Sequence, residues 1–193
     1  MAATSVSLLE RLKTAKPDAA EWRRLQDIYQ PLIRAWLRQL PELGDETGDL
    51  TQEVFLVMLR ELPSFERQRE GSFRSWLRRV TVNRVRTFVK RRGRQPTAVG
   101  DGLEVMLSQL EDPHGELAQR WEREHDRHVF QKLLETFAAE FNDTTWRAFQ
   151  RFGIEGQSAA ATALELGISE NSVLLAKSRV LKRLRTEASG LLD

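Results

Sequence analysis

Cysteine is absent from the sequence, which removes a disulfide framework, a thiolate metal site and a Cys nucleophile together, and fits a reducing compartment. No run of about 18 apolar residues occurs, and the first twenty residues, MAATSVSLLERLKTAKPDAA, meet charge before any sustained apolar core develops. The expectation is therefore a cytoplasmic protein with no membrane insertion. Gly-rich phosphate loops and local Ser-His-Asp signatures are missing too, so an enzyme has little to stand on, although triads assemble in space rather than in sequence. A single Glu-x-x-His pair, EREH at Glu122 to His125, has the spacing used in di-iron bundles, but those sites need two such pairs and further carboxylates. With His128 it reads as a solvated helical face, and neither metal nor cofactor is expected.

Acidic residues are missing from one place in particular. The stretch GSFRSWLRRVTVNRVRTFVKRRGR, Gly71 to Arg94, carries nine basic residues, three aromatics and no acid. Lys177 to Arg185 adds five more cations without an acid, so of 30 basic residues only 16 remain to face all 28 acidic ones elsewhere. Like charges at helical spacing repel by a few tenths of a kcal/mol per pair. A cation-friendly helix end explains some of the cluster at Lys90, Arg91, Arg92 and Arg94, but not nine cations without an acid. Segregation of this kind is the footprint of a polyanion, most commonly nucleic acid.

What is present in abundance is helical periodicity. Leu8, Leu9 and Leu12, then Trp22, Leu25, Ile28 and Tyr29, recur at three and four, which predicts amphipathic helices rather than strands. Pro31 should end or kink one helix, Pro41 and Gly44 mark a turn, and DLTQEVFLVMLREL from Asp49 predicts another helix with Asp49 as N-cap and Pro63 as its close. Ser64 to Gly71 reads as a polar loop, and Ser72 as the cap of the basic helix. Within that helix Phe73, Trp76, Leu77 and Val80 form a buried face, which assigns the two aromatics to the core rather than to base stacking. Val82, Val85 and Val89 lie on another side, to be packed on a different neighbour or partly exposed. Residues 93 to 115 hold four of the eleven glycines and two of the six prolines, with a short apolar piece at Leu103 to Leu110, and read as containing an interdomain linker.

The last unit, GQSAAATALELGISENSVLLAKSRVLKRLR, has a short helix over Ala159 to Leu166, a turn at Gly167, and a second helix capped by Ser169 with Val173, Ala176, Val180, Leu181 and Leu184 inward. This is helix-turn-helix grammar. An Ala-rich hairpin with a Gly turn is equally ordinary core structure, and the basic tail favours the DNA-binding reading. The fold class is all-α: two small helical domains, 1–93 and 116–193, joined by a linker at 94–115, the second domain a helix-turn-helix.

DLTQEVF at Asp49 to Phe55, the basic stretch at Gly71 to Val85, and ELGISENSVLLAKSRVLKRLR at Glu165 to Arg185, in that order, resemble the extracytoplasmic-function group of bacterial RNA polymerase sigma factors, over about Trp22 to Arg185. The resemblance implies a non-enzymatic initiation subunit whose first domain binds the polymerase clamp and reads the minus-ten element, and whose second reads the minus-thirty-five element. Asp49, Gln52, Glu53 and Phe55 would meet core polymerase, although Asp49, Gln52 and Glu53 also have a plain reading as helix-start chemistry. Arg74, Arg78, Arg79, Arg84, Arg86, Lys90 and Arg91 would follow DNA phosphates, and Asn83 would pair with a base edge. The Ser64 to Gly71 loop would receive a flipped base from the opened strand. Ser172, Lys177, Ser178, Arg179, Lys182 and Arg183 would contact the duplex. Thr87 stands where many members carry Asp, so that contact is not assigned. Leu174, Leu175 and Ala176 stand where relatives often carry basic or polar residues, leaving a thymine methyl as their conceivable DNA contact. The implied partners are core RNA polymerase, promoter DNA as duplex and opened strand, and, as a further candidate, an anti-sigma protein. A stand-alone helix-turn-helix regulator acting as a dimer is the alternative. The acidic stretch Asp101 to Asp126 suggests that the two domains pack with their basic faces covered.

Overall fold

Trp22, Leu25, Ile28, Tyr29, Leu32, Ile33, Trp36 and Leu37 are all buried along one face of a helix, α2 (Ala20–Leu37), around which the rest of the chain is arranged. The computed structural model describes residues 7–16, 18–66, 72–92 and 101–192, and among these every regular element is helical. Pro31 does not end this helix: it lies exposed inside it. A proline in a helix interior costs about 3 kcal/mol, whereas each large apolar side chain buried beyond it stabilises by about 1.5–3 kcal/mol. Leu32, Ile33, Trp36 and Leu37 lie beyond it, so tertiary burial wins over local propensity.

A short helix, α1 (Leu8–Leu12), precedes α2, capped by the Ser7 hydroxyl, which accepts from the Glu10 amide. A 3₁₀ turn over Pro41–Glu46, with Gly44 at φ 49°, leads into α3 (Thr47–Glu61). This helix starts three residues before one capped by Asp49 would, with Glu46 at the N-cap position. Asp49 is therefore not its N-cap but sits in the first turn, where its charge still favours the positive helix end. The Thr47 hydroxyl donates back to the Gly44 carbonyl at 2.9 Å.

The basic helix is α4 (Ser72–Arg92), with Phe73, Leu77 and Val80 buried and Trp76 half-buried. Ser72 is its first residue; the Ser72 and Arg92 side chains, loop residues 67–71, and Gly93 and Arg94 lie outside the described residues. Val82 and Val85 are buried as well, on a different neighbour: α5 (Asp101–Glu111), a helix inside the tract read as linker. Leu103, Leu107 and Leu110 form a stripe at i, i+4 and i+7, and all three are buried. That stripe, rather than the flanking glycines, decides the conformation of 101–111.

Next comes α6 (Glu116–Phe137), which lies antiparallel along α2. Trp121 meets Trp36 with ring centroids 4.9 Å apart, His125 meets Tyr29, the His128 Nε2 lies 2.7 Å from the Ile28 carbonyl oxygen, and Arg24 covers the Phe137 ring. Then follow α7 (Asp143–Ala148), capped by Asn142, and a π-helical turn over Phe149–Ile154. Gly153 is required there because an added Cβ would meet the Phe149 ring at 2.8 Å. Two last helices, α8 (Ala159–Leu166) and α9 (Glu170–Ala188), are joined through Gly167 at φ 64°, ψ 35°, with Ser169 accepting from the Ser172 amide. The chain is thus an all-α protein with two helical clusters, α1–α4 and α7–α9, joined through a tract that itself contains α5 and α6. Val180, Leu184, Ala188 and Leu191 share one apolar core with Leu8, Leu12 and Leu25.

Candidate nucleic-acid interface

Asp49, Gln52 and Leu56 stand at i, i+3 and i+7 of α3 and are exposed, with Glu53 and Phe55 half-buried beside them. The buried face of the same helix is Leu50, Val54, Val57 and Met58. Leu56, 64% exposed, was not singled out from the sequence. Its signal was available, because it falls off the buried stripe onto an otherwise polar face. Gln52, Phe55, Leu56 and Leu59 line an open groove against Trp22, Arg23, Gln26 and Gln30 of α2. Glu53 lies apart from these roles, 4.0 Å from Arg84 and 3.9 Å from Arg91.

The cations of α4 divide into sets by helical phase. Arg74, Arg78 and Arg86 turn towards α5 and α6. Arg74 donates to both Asp126 oxygens at 2.6 and 2.7 Å, Arg78 to Glu122 at 3.3 Å, and Arg86 pairs with Glu104 at 2.7 Å and Glu111 at 2.6 Å. Arg78 is only 3% exposed; burial pushes its pKa down, and Glu122 partly restores it. The pKa of Arg86 is raised, by its bonds to Glu111 and Glu104. Arg79, Asn83 and Lys90 occupy the other face and are exposed. The Thr87 hydroxyl donates to the Asn83 backbone carbonyl at 2.8 Å, and the Asn83 side chain is exposed.

His125 overturns the reading of its stretch as a solvated face. It is fully buried, with Nε2 3.1 Å from the Tyr29 hydroxyl and Nδ1 3.0 Å from Asp126 Oδ1. An ionised Asp126 only accepts, so the neutral ring donates from Nδ1–H and its Nε2 accepts from Tyr29. Burial drives the His125 pKa below its ordinary value despite the neighbouring Asp126. Burial pushes Asp126 up, but the bonds from His125 and Arg74 outweigh it and hold the carboxyl low. Burial is also the first cause of the raised Tyr29 pKa. Tyr29, His125, Asp126 and Arg74 thus form one polar chain across α2, α6 and α4. No group of three or more metal-ligating carboxylates and imidazoles assembles among the described residues.

On α9, Ser172, Ser178, Arg179 and Lys182 are exposed, and Lys177 sits 4.7 Å over the Phe152 ring. Arg183 points the other way. It pairs with Glu140 at 2.9 Å and with Glu187 at 3.1 Å, and lies over Phe137. Leu174 and Leu175 are 50% and 45% exposed beside the candidate contacts, while Ala176 is buried. Glu187 is fully buried and holds three arginines, Arg11 at 2.6 Å, Arg24 at 3.0 Å and Arg183, tying α9 to α1 and α2. No helix among the described residues is long and apolar enough to cross a membrane.

Residues 25–95, which span α2 to α4 with the grooved face of α3 and the cations of α4, match the model of Sigma-70 region 2. No curated protein matches the chain.

Proposed function

We propose a role that starts from the region-2-type sigma-factor domain this chain carries, a domain consistent with a sigma-70 family member and typical of non-catalytic transcription factors. Such domains generically mediate binding to core RNA polymerase. The chain then acts as an initiation subunit of the extracytoplasmic-function type, directing core polymerase to promoters and trapping the opened strand. The observation that carries this reading is the placement of the match: it covers an exposed α3 face, Asp49, Gln52 and Leu56, and an adjacent helix whose free side presents Arg79, Asn83 and Lys90. Cations there take up phosphates and release counterions, while an amide reads a base edge. The second cluster supports the same reading. A helix, a left-handed glycine and a capped second helix with Ser172, Ser178, Arg179 and Lys182 outward are the parts a helix-turn-helix would use to take duplex DNA. In this reading 1–93 is the polymerase and minus-ten domain and 116–193 the minus-thirty-five domain, with α6 shared between them in the free chain.

The test is retention of purified bacterial core RNA polymerase on the immobilised chain, beside a variant carrying Asp49→Ala, Gln52→Ala and Leu56→Ala. Retention by the parent and loss in the variant is expected. Tight binding to duplex DNA with no retention of polymerase would overturn the proposal in favour of a stand-alone regulator.

A further inference from the structure

We infer that α9 selects its duplex by apolar contact: Leu174 and Leu175 are specificity-determining residues that pack on the C5 methyl groups of thymines in the major groove. The inference rests on the duplex-DNA reading of the second cluster proposed above. Its first support is placement. Leu174 and Leu175 are 50% and 45% exposed, while Val173 and Ala176 on either side of them are buried. Leu175 stands in line with Asn171, Ser178 and Lys182, at i−4, i+3 and i+7, all of them exposed, so it lies within the outward face and not at its edge. Adjacent helical residues diverge by about 100°, which turns Leu174 towards a different base position from Leu175. Both fall in the first two turns of a helix capped by Ser169, the part of a recognition helix that reaches base edges.

The second support is what surrounds the two leucines. The helix has acids at Glu170 and Glu187 and none between them, and Glu187 is fully buried. Arg179, Lys182 and Arg185 are exposed on the same stretch. Leu175 also lines an open cleft with Thr144, Thr145, Ser172 and Arg179, whose hydroxyls and guanidinium suit phosphate oxygens. A docking face for an apolar peptide would extend the apolar area, whereas these leucines sit among hydroxyls and cations, the composition that a polyanion fits. The third support is chemical. Leucine has no donor or acceptor, so it selects a base only through an apolar group, and the thymine methyl is the apolar group that base pairs present in the major groove. Cytosine at the same place would press its N4 donor against leucine and leave it desolvated without a partner. The pair therefore favours thymine twice, by burying its methyl and by rejecting the amino group of cytosine.

The experiment uses the full chain and a random-sequence duplex pool, enriched by retention on the immobilised chain, alone or with core RNA polymerase bound, and then copied with either dTTP or dUTP. Uracil pairs as thymine does and lacks only the C5 methyl. Binding of the two fluorescein-labelled copies is followed by anisotropy at one salt concentration, beside the variant Leu174→Ala with Leu175→Ala. Burial of one methyl is worth about fourfold in affinity, so the parent should bind the uracil copy about fourfold more weakly for one contact and about fifteenfold for two. The variant should bind the thymine copy more weakly by a similar factor and bind both copies alike. Alanine is the strongest helix former and both positions are exposed, so α9 is kept, which circular dichroism checks. The comparison of the two copies on the parent needs no variant.

Equal affinity of the parent for both copies would overturn the inference, as would a loss on the uracil copy that the variant shares in full. In either case a drop in binding on Arg179→Ala with Lys182→Ala shows that the duplex reading of α9 stands without it. A dimer in sedimentation that the leucine variant loses, with both copies bound alike, would overturn it in favour of a second copy of the chain on these residues. No retention of duplex by the chain, alone or with core RNA polymerase, would instead overturn the duplex reading of the second cluster and this inference with it.

Discussion

Replacing Glu187 by Gln tests whether the second cluster is held to the first by charge. The carboxylate is fully buried, while Arg11, Arg24 and Arg183 around it keep 24–30% of their side-chain surface. Removing one member of a fully buried pair costs about 3–5 kcal/mol. The arginines here can regain water and Gln still accepts one bond, so about 2–3 kcal/mol is expected for this site. For a chain of this length that lowers Tm by roughly 4–12 °C. Burial by itself would raise the Glu187 pKa, but the bonds from Arg11 and Arg183 and the charge of Arg24 take it below the ordinary carboxylate value. A depressed carboxyl contributes stability above its unfolded pKa and loses it as pH falls through the folded one. The Tm gap between parent and Glu187→Gln should therefore be full at pH 7, begin to close below about 4.5, and narrow further towards pH 3. Thermal melts followed by circular dichroism across that range decide it. Equal Tm values at pH 7, or a gap that does not change down to pH 3, would refute an ionised Glu187 as the tie.

His125 is buried with a depressed pKa, so the unfolded chain binds its proton first and stability should fall as pH drops below about 6.5. His125→Gln should flatten urea-derived stability between pH 5 and 7, and an unchanged slope there would assign that pH dependence elsewhere. Gly167→Ala, forced to φ 64°, should lower stability by about 1 kcal/mol in denaturant titrations, whereas Gly48→Ala, helical and with open space around it, should be neutral or mildly stabilising. Similar losses at both positions would show that the left-handed turn carries no special cost.

The parts of this fold that were legible in the sequence are those whose cause lies within one helical turn. The α2 stripe, the Ser169 cap and the Gly167 turn each rest on residues three or four apart, and all are found where the spacing puts them. Asp49 lies three residues past the N-cap position because Thr47, bonded back to Gly44, begins the helix before the apolar pattern does. The tract holding α5 was read from its glycines and prolines, although Leu103, Leu107 and Leu110 already carried a helical stripe whose partner, Val82 and Val85, was the unassigned side of α4. Two half-patterns without neighbours were each other's neighbour.

The polar contacts were legible only as charge totals. An excess of arginine on α4 and of acid on 101–126 suggests covered faces, and the structure pairs Arg74, Arg78 and Arg86 with that stretch. Which arginines pair, however, depends on how α6 lies against α4. That register is set by apolar contacts such as Trp36 with Trp121, and by Tyr29 with His125, residues 96 apart in sequence. Helical phase then divides the basic residues, turning Arg74 and Arg78 inward and Arg79 and Lys90 outward on the same helix. A census of charge treats these four as equivalent, but the fold makes two of them conditional on α6. Which of these cations face solvent is therefore a property of the tertiary arrangement, set by the same packing that buries His125.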